Sequence, residues 1–151
     1  MTDAQRAQLN DFFVRTFNNI LTLEERALSG DQEGPSVREV HVIEAAAKLE
    51  EQGRNTMSAI AGALNISVGA LTTAVNTLIR KGYLERGSDP DDRRVVRVFP
   101  TAAGRAVNAR HEAFHREMLD QVERVLGEDD LKRLTLALSL LSDFFEQYAK
   151  G

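Results

Sequence analysis

Cysteine is absent from this chain of 151 residues. Its absence excludes a disulfide framework, a thiolate zinc site and a thiol redox sensor. Long apolar runs are also missing, and none approaches the roughly 20 residues that a membrane-spanning helix needs. Residues 1–11 are polar and lack the basic-then-apolar pattern of a secretory signal. We therefore expect a cytoplasmic protein, and its length fits one domain or one domain with long appendages.

Proline is scarce, and its few positions mark breaks between helical segments. Pro35, Pro90 and Pro100 lie near clusters of glycine. Apolar spacing and capping residues then predict six helices. These run over Asp3–Leu28, from the capping box of Ser36 and Glu39 to about Gln52, over Met57–Leu64, from Ser67 to Lys81, from Thr101 to about Leu126, and onward from Gly127. A loop is predicted at Ser29–Pro35.

Two short β-like segments interrupt the helical pattern, at Tyr83–Arg86 and Val95–Phe99. The residues between them are dense in turn formers, which predicts a two-stranded ribbon with a long tip. The predicted core around the preceding helices consists of Ile60, Ile66, Leu71, Val75, Leu78 and Ile79. The sequence therefore predicts a mainly α fold with a small β-wing.

Positive charge is concentrated in the middle of the chain. The formal net charge is −4, but residues 54–110 hold nine Arg or Lys side chains and four acids, a charge of +5. The remaining residues hold ten basic and nineteen acidic side chains, a charge of −9. A basic middle between acidic ends predicts one surface for a polyanion and another for a different partner.

The last helix is apolar on two sides. One stripe holds Leu131, Leu134, Leu138, Leu141, Phe145 and Tyr148, while Leu136, Leu140 and Phe144 lie off it. A terminal helix with two apolar sides usually has two partners. We expect one partner to be its own domain and the other to be a second subunit.

The segment Thr56–Phe99 reads as helix, tight turn, helix and ribbon, an arrangement that suits DNA reading. The helix from Ser67 to Lys81 has a small and polar exposed side that lets its backbone approach base edges. The predicted DNA-binding residues on this helix are Ser67, Gly69, Ala70, Thr72, Thr73, Asn76 and Arg80. The alternative is an ordinary solvated helix face, and the adjoining ribbon weighs against it.

The ribbon tip carries Asp91-Asp92-Arg93-Arg94. Two arginines at a loop apex can reach a narrow minor groove, where the potential is most negative. We expect one of Arg93 and Arg94 to hold the loop by pairing with an aspartate, and the other to contact DNA. The alternative is a solvated run of charges.

Several motifs together resemble the MarR family of multiple-antibiotic-resistance-type regulators. They are AIAGALNIS at 59–67, VNTLIRKGYLER at 75–86, DDRR at 91–94 and TAAG at 101–104. The resemblance implies a triangular homodimer that binds pseudo-palindromic operators and usually represses. It also implies a helical dimerisation region at 1–34 and 101–151, and a winged helix-turn-helix lobe at 36–100.

Further segments resemble the repressors of bacterial type II fatty-acid synthesis within this family. They are FNNIL at 17–21, Glu24-Glu25, REVHVIE at 38–44, GALTTAVN at 69–76 and HEAFHREM at 111–118. This resemblance implies long-chain acyl-acyl carrier protein as corepressor, with the acyl chain in an apolar tunnel. An acidic carrier would need a basic docking patch, for which Arg105, Arg110 and Arg116 are candidates. A regulator that responds to a small aromatic ligand is an alternative.

A metal-responsive repressor is the other alternative. His111 and His115 stand four residues apart, so they share a helix face and can chelate one metal. Glu24, Glu25, Glu39 or His41 can complete such a site, and zinc-sensing members of the family bind metal near such positions. Two histidines on an amphipathic helix are more often structural, and we expect no required cofactor.

Enzyme chemistry has no support in the sequence. A nucleophilic Gly-x-Ser-x-Gly turn and a Walker-type glycine loop are both absent. The acid pairs Glu24-Glu25 and Asp129-Asp130 are more simply solvated groups or charges that compensate a helix dipole. We therefore predict a binding protein and not an enzyme.

Overall fold

The structure is a computed structural model that describes residues 1–28 and 34–150. Within these ranges the chain forms six helices and one two-stranded sheet, and this confirms the predicted order of elements. The elements are α1 (Asp3–Leu28), α2 (Val37–Glu51), α3 (Met57–Ala63), α4 (Val68–Arg80), β1 (Leu84–Ser88), β2 (Val96–Pro100), α5 (Ala102–Val125) and α6 (Glu128–Lys150). Most of the loop predicted at Ser29–Pro35 lies outside the described residues.

Polar caps begin the helices of the central region. Ser36 Oγ accepts a hydrogen bond from the Glu39 N–H at 3.3 Å, and the Glu39 carboxylate accepts one from the Ser36 N–H at 2.8 Å. This is the predicted capping box, which satisfies two N–H groups that a helix start leaves open. Thr56 and Ser67 cap α3 and α4 in the same way through their hydroxyl oxygens.

The turn between α3 and α4 depends on one residue in the left-handed conformation. Asn65 has φ of 53°, and its N–H donates to the Gly62 carbonyl at 3.2 Å. The Ile66 N–H donates to the Ala61 carbonyl at 3.0 Å, which completes the cap at the end of α3. The two helices consequently bend by 106°, within the range of helix-turn-helix motifs.

The core lies between α2, α3, α4 and the ribbon. Its fully buried side chains include Ile43, Ile60, Leu71, Leu78 and Val98. Burial of each such side chain contributes roughly 1.5–3 kcal/mol. Four of the six predicted core residues, Ile60, Leu71, Val75 and Leu78, are fully buried, and Ile79 packs against them partly buried.

The prediction that Ile66 belongs to the core is wrong, because its side chain is 40% exposed. Ile66 follows the left-handed Asn65, and its N–H bonds back to α3 to complete the cap. It therefore lies in the turn between the two helices and not on the inward face of either. The apolar side chain at this position indicated burial, but the geometry of the turn leaves it exposed.

The ribbon is antiparallel, with Leu84 opposite Pro100 and Ser88 opposite Val96. The predicted strands Tyr83–Arg86 and Val95–Phe99 both begin one residue too early and end too early. Tyr83 is excluded from the ladder because its N–H donates to the Leu78 carbonyl at 2.9 Å, which closes the end of α4. β1 therefore starts once that cap is complete.

Gly104 fixes the approach of α5 to the end of α4. A Cβ atom at Gly104 would lie 2.1 Å from the Tyr83 carbonyl oxygen. The same oxygen accepts a hydrogen bond from the Thr101 N–H at 3.0 Å. The glycine of the TAAG motif is therefore required because the backbone of Tyr83 occupies the space of a side chain.

The chain forms two compact units, Met1–Phe114 and His115–Gly151. Within the described residues no single helix is both long and apolar enough to cross a membrane; α3 and α4 meet the length and composition criteria only as a bent pair. The division into a dimerisation region at 1–34 and 101–151 and a DNA-binding lobe at 36–100 stays a prediction.

Candidate nucleic-acid interface

The exposed face of α4 is small and polar near its start. Ser67 Oγ accepts from the Ala70 N–H at 3.1 Å and so caps the helix. Ser67, Gly69, Ala70, Thr73 and Asn76 are exposed, and Thr72 is half-buried. The structure thus brings the predicted residues of this helix to one accessible face.

The threonine hydroxyls of α4 donate their hydrogens to the helix itself. Thr72 Oγ1 donates to the Val68 carbonyl at 2.8 Å, and Thr73 Oγ1 donates to the Gly69 carbonyl at 3.4 Å. Each oxygen keeps lone pairs, and each side chain keeps its methyl group. These threonines therefore offer acceptors and apolar contacts, which suit a base amino group or a thymine methyl.

Gly69 is not required by packing within the described part of the chain. A Cβ atom built there would meet only Ser67 Oγ at 3.9 Å. Glycine in a helix costs about 1 kcal/mol relative to alanine. A helix that accepts this cost on an exposed face gains closer access to its backbone, which is the property that groove binding needs.

Two arginines extend the polar face beyond the start of α4. Arg80 Nη2 donates to Thr77 Oγ1 at 3.2 Å near the helix end. Arg86 on β1 donates through Nη2 to Asn76 Oδ1 at 2.8 Å. Sequence reasoning did not assign Arg86 to this surface, because its proximity to Asn76 depends on how β1 packs beside α4. Its place among the basic residues of the central region was the one available signal.

The wing tip presents both predicted arginines to solvent. Arg94 contacts Asp92 through its backbone N–H at 3.0 Å and its Nε at 3.2 Å, yet its side chain is 92% exposed. Arg93 is exposed and makes no side-chain hydrogen bond or ion pair with any residue that the structure describes. Arg94 therefore makes the predicted pairing with an aspartate, and both arginines remain accessible at the tip.

The base of the wing is held by Arg97, a residue that the sequence analysis did not single out. Its Nε donates to Asp89 Oδ2 at 2.6 Å. Its Nη1 donates to the Gly53 carbonyl at 2.6 Å and to Asn55 Oδ1 at 3.0 Å. Arg97 therefore ties the start of the wing tip to the loop between α2 and α3. The sequence alone could not predict this network, because the two segments meet only in the folded chain.

Asp89 organises the turn at the start of the tip. Hydrogen bonds from the Asp91 N–H, the Arg97 guanidinium and the Asp92 N–H lower the pKa of Asp89 below its ordinary value. The carboxylate is buried, and its Oδ1 accepts from both N–H groups, at 2.8 and 3.1 Å. Asp89 thus remains ionised over the physiological pH range and links the turn at the start of the tip to Arg97.

A second polar cluster lies away from the wing, around His111. His111 is buried; its Nε2 lies 3.4 Å from Glu24 Oε1 and its Nδ1 lies 3.5 Å from Glu44 Oε2. His41 Nε2 lies 3.9 Å from the same Glu24 oxygen. One ligand atom from each of His41, Glu44 and His111 falls within 4.8 Å of the others. Imidazole nitrogens and carboxylate oxygens are the donors that zinc accepts.

One predicted ligand, Glu39, does not join this cluster. Glu39 instead binds Lys81, whose Nζ lies 2.9 Å from each carboxylate oxygen. Partial burial would raise the pKa of Glu39, but hydrogen bonds from Lys81 and Ser36 lower it overall. His115 lies four residues after His111 on α5, at the start of the second compact unit. The sequence feature that could have identified Glu44 as a candidate ligand is its spacing of three residues from His41 on one helix.

The chain is similar to known proteins in sequence and in fold. Residues 45–96 match the MarR family. Over 99 residues the chain is 30% identical to the transcriptional regulator AdcR of Streptococcus pyogenes, a match that covers 66% of this chain and 67% of AdcR.

Solved structures extend the likeness to nearly the whole chain. FabT of Streptococcus pneumoniae in complex with DNA is 32% identical, with a TM-score of 0.83, and the match covers 96% of this chain and 99% of FabT. The MepR–DNA complex of S. aureus is 19% identical, with a TM-score of 0.71, and covers 90% of this chain and 97% of MepR. The second likeness shows a shared fold alone.

Proposed function

The chain belongs to the MarR family of DNA-binding transcriptional regulators, and we propose that it is a ligand-controlled repressor of fatty-acid synthesis genes. The family membership confirms a regulator and not an enzyme. The observation that carries the proposed mode of DNA binding is the exposed polar face of α4 beside a wing with two accessible arginines.

In this proposal each subunit inserts α4 into a major groove and its wing tip into the flanking minor groove. The N-cap residue Ser67 and the first N–H groups of α4 lie where a phosphate can bind a helix start. Thr73 and Asn76 face base edges, and Arg93 and Arg94 enter the region of most negative potential. FabT is itself in complex with DNA in its structure, which supports the proposed binding mode.

We propose that the active form is a homodimer. α1 exposes Phe12, Phe17 and Leu21, and α6 exposes Leu136, Leu140 and Phe144. Exposed apolar side chains in this number are typical of a surface that a second subunit covers. A two-fold dimer would place the two α4 helices about 34–36 Å apart, one turn of DNA, on a pseudo-palindromic operator.

The proposed corepressor is long-chain acyl-acyl carrier protein. The support is the resemblance of residues 17–21, 38–44 and 111–118 to repressors of type II fatty-acid synthesis. Of the three candidate docking arginines, Arg105 donates to both carboxylate oxygens of Glu50 at 2.9 Å. Arg105 is thereby paired with a carboxylate, so Arg110 and Arg116, both exposed, are the better candidates.

A corepressor acts only if it binds the DNA-competent arrangement more tightly than the incompetent one. The test is the affinity of the purified protein for operator-like duplexes, with and without long-chain acyl-acyl carrier protein, in chelator-treated buffer. Tighter DNA binding with the acylated carrier, and not with the unacylated one, is the expected result. Unchanged affinity would contradict the fatty-acid branch and leave the DNA-binding function intact.

A metal-responsive repressor is the second candidate, favoured by the cluster of His41, Glu44 and His111. The separation of 3.5 Å between Glu44 Oε2 and His111 Nδ1 is close to the spacing of about 3.3 Å between ligands of tetrahedral zinc. Zinc added to the same DNA-binding assay distinguishes the candidates. A response to zinc that His41→Gln removes would favour the metal, whereas a small aromatic ligand would require neither zinc nor the carrier.

A further inference from the structure

We propose that Arg86 is a specificity-determining residue of the DNA interface, and that the pair Asn76–Arg86 selects guanine over adenine at one base pair of each half-site. The inference rests on the proposed DNA-binding function. Arg86 Nη2 donates to Asn76 Oδ1 at 2.8 Å, and both residues are exposed, Asn76 on α4 and Arg86 on β1.

The hydrogen bond fixes the orientation of the Asn76 amide. A guanidinium has donors and no acceptor, so the amide group must turn its oxygen towards Arg86. The two N–H donors of Asn76 Nδ2 are then left for other partners. Together with the remaining guanidinium N–H groups, the pair presents a surface made of donors.

The two purines differ in how they meet such a surface. Guanine offers two acceptors in the major groove, N7 and O6, whereas adenine offers the acceptor N7 and the N6 amino donor. Asparagine reads adenine with its oxygen and its NH₂ together. In this protein the N6 amino group would compete with Arg86 for the Asn76 oxygen and would face a positive charge. Guanine instead accepts from both side chains.

The backbone around Arg86 is firmly held. Arg86 pairs with Val98 across the ribbon. The Val98 N–H donates to the Asn55 carbonyl at 2.9 Å, and the Val98 carbonyl accepts from Asn55 Nδ2 at 2.8 Å. Asn55 is buried. Arg86 therefore projects from a strand anchored to the core, which is the kind of support that precise base recognition needs.

The experiment is a binding-site selection on the full-length protein, using duplexes whose inverted half-sites are randomised. The wild type is expected to enrich guanine at one symmetric position. Arg86→Gln removes the charge and frees the Asn76 amide, so the guanine preference at that position should fall about tenfold and adenine should rise. Arg86→Lys keeps a charged donor and should retain part of the preference.

A second measurement tests the contact chemically. Replacement of the selected guanine by 7-deazaguanine removes the N7 acceptor, so it should weaken wild-type binding several-fold and leave Arg86→Gln nearly unaffected. Arg133→Gln, on α6, is the matched control for loss of one exposed arginine. Thermal melting of each variant checks that it is folded.

The outcomes separate the inference from the proposed function. An unchanged base preference in Arg86→Gln would overturn the inference while DNA binding stands. An equal loss of affinity for all sequences, with a salt dependence reduced by about one charge, would make Arg86 a phosphate contact and would also overturn it. A wild type that enriches no sequence would overturn the proposed function and the inference together.

Discussion

The winged lobe, residues 37–100, and the helix α6 differ in how far their apolar side chains are buried. In the lobe, Ile43, Ile60 and Leu71 are fully buried. On α6, Leu136, Leu140 and Phe144 each remain more than half exposed. The lobe is thus closed around its own core, whereas α6 leaves large apolar side chains exposed among the described residues. The difference is what the proposed homodimer requires, because a second subunit would cover the exposed side chains of α6.

The largest expected effect is on the core of the lobe. Leu71→Ala should lower the free energy of unfolding by about 2–5 kcal/mol, because Leu71 is fully buried and a cavity would remain. Leu140→Ala, at a side chain that is 62% exposed, is the control and should change the stability of the isolated subunit little. Denaturant titration at a protein concentration low enough to dissociate the proposed dimer measures both, and equal losses would contradict the contrast between the two regions.

The apolar surface of α6, which belongs to the proposed dimer interface, should be tested by a different measurement, the dimer dissociation constant. Leu138→Ser removes an apolar side chain that is 51% exposed, so the dimer dissociation constant should rise at least tenfold. Lys132→Ser, which removes a polar side chain of the same helix, is the matched control. Analytical ultracentrifugation over a range of concentrations measures the effect. A variant dimer as tight as the wild type would remove α6 from the interface.

Within the lobe, the base and the tip of the wing should differ. Arg97→Ala breaks the contacts with Asp89, Gly53 and Asn55, so DNA affinity should fall roughly tenfold as the wing loses its position. Arg94→Ala should weaken binding to all sequences and reduce the salt dependence by about one charge. Affinities measured at several salt concentrations test this, and identical salt slopes in the two variants would contradict the assignment.

Gly69 allows stability and function to be separated at one residue. Gly69→Ala should raise the free energy of unfolding by up to about 1 kcal/mol, since the position is helical and open. DNA affinity should nevertheless fall, because the methyl group keeps the backbone of α4 from the bases. Melting and DNA-binding measurements on the same sample check the two effects. A variant that gains stability and keeps its affinity would show that this face does not meet DNA closely.

The smallest effect concerns pH. The pKa of Asp89 is lowered in the folded protein, so its stabilising contribution is present above its unfolded pKa and is lost as the pH falls through the lowered folded value. Asp89→Asn should therefore be less stable than the wild type at neutral pH, and the gap should narrow in the acid range. Thermal melts from pH 7 downward measure it. A difference in stability between the two proteins that widens as the pH falls would contradict this prediction.

Local patterns were enough to predict most of the secondary structure. The capping box at Ser36, the spacing of apolar residues in α1 and the turn-rich wing segment are short-range features, and the structure has each where the sequence placed it. Two of the errors, the start of β1 and the burial of Ile66, occur where a helix cap uses a backbone N–H. Such caps depend on the conformation of one residue, which apolar periodicity does not report.

The candidate DNA surface divides in the same manner. Its exposed helix face and its arginine tip are each formed by residues that lie close together in the chain, so the sequence by itself determined them. The pairing of Arg86 with Asn76 and the network around Arg97 join residues 8 to 44 positions apart. Outside this surface, Glu44 and His111 approach each other across 67 positions. Only the tertiary structure decided these contacts, because the packing of α2, α4 and α5 with the ribbon brings distant side chains within hydrogen-bonding or ion-pairing distance.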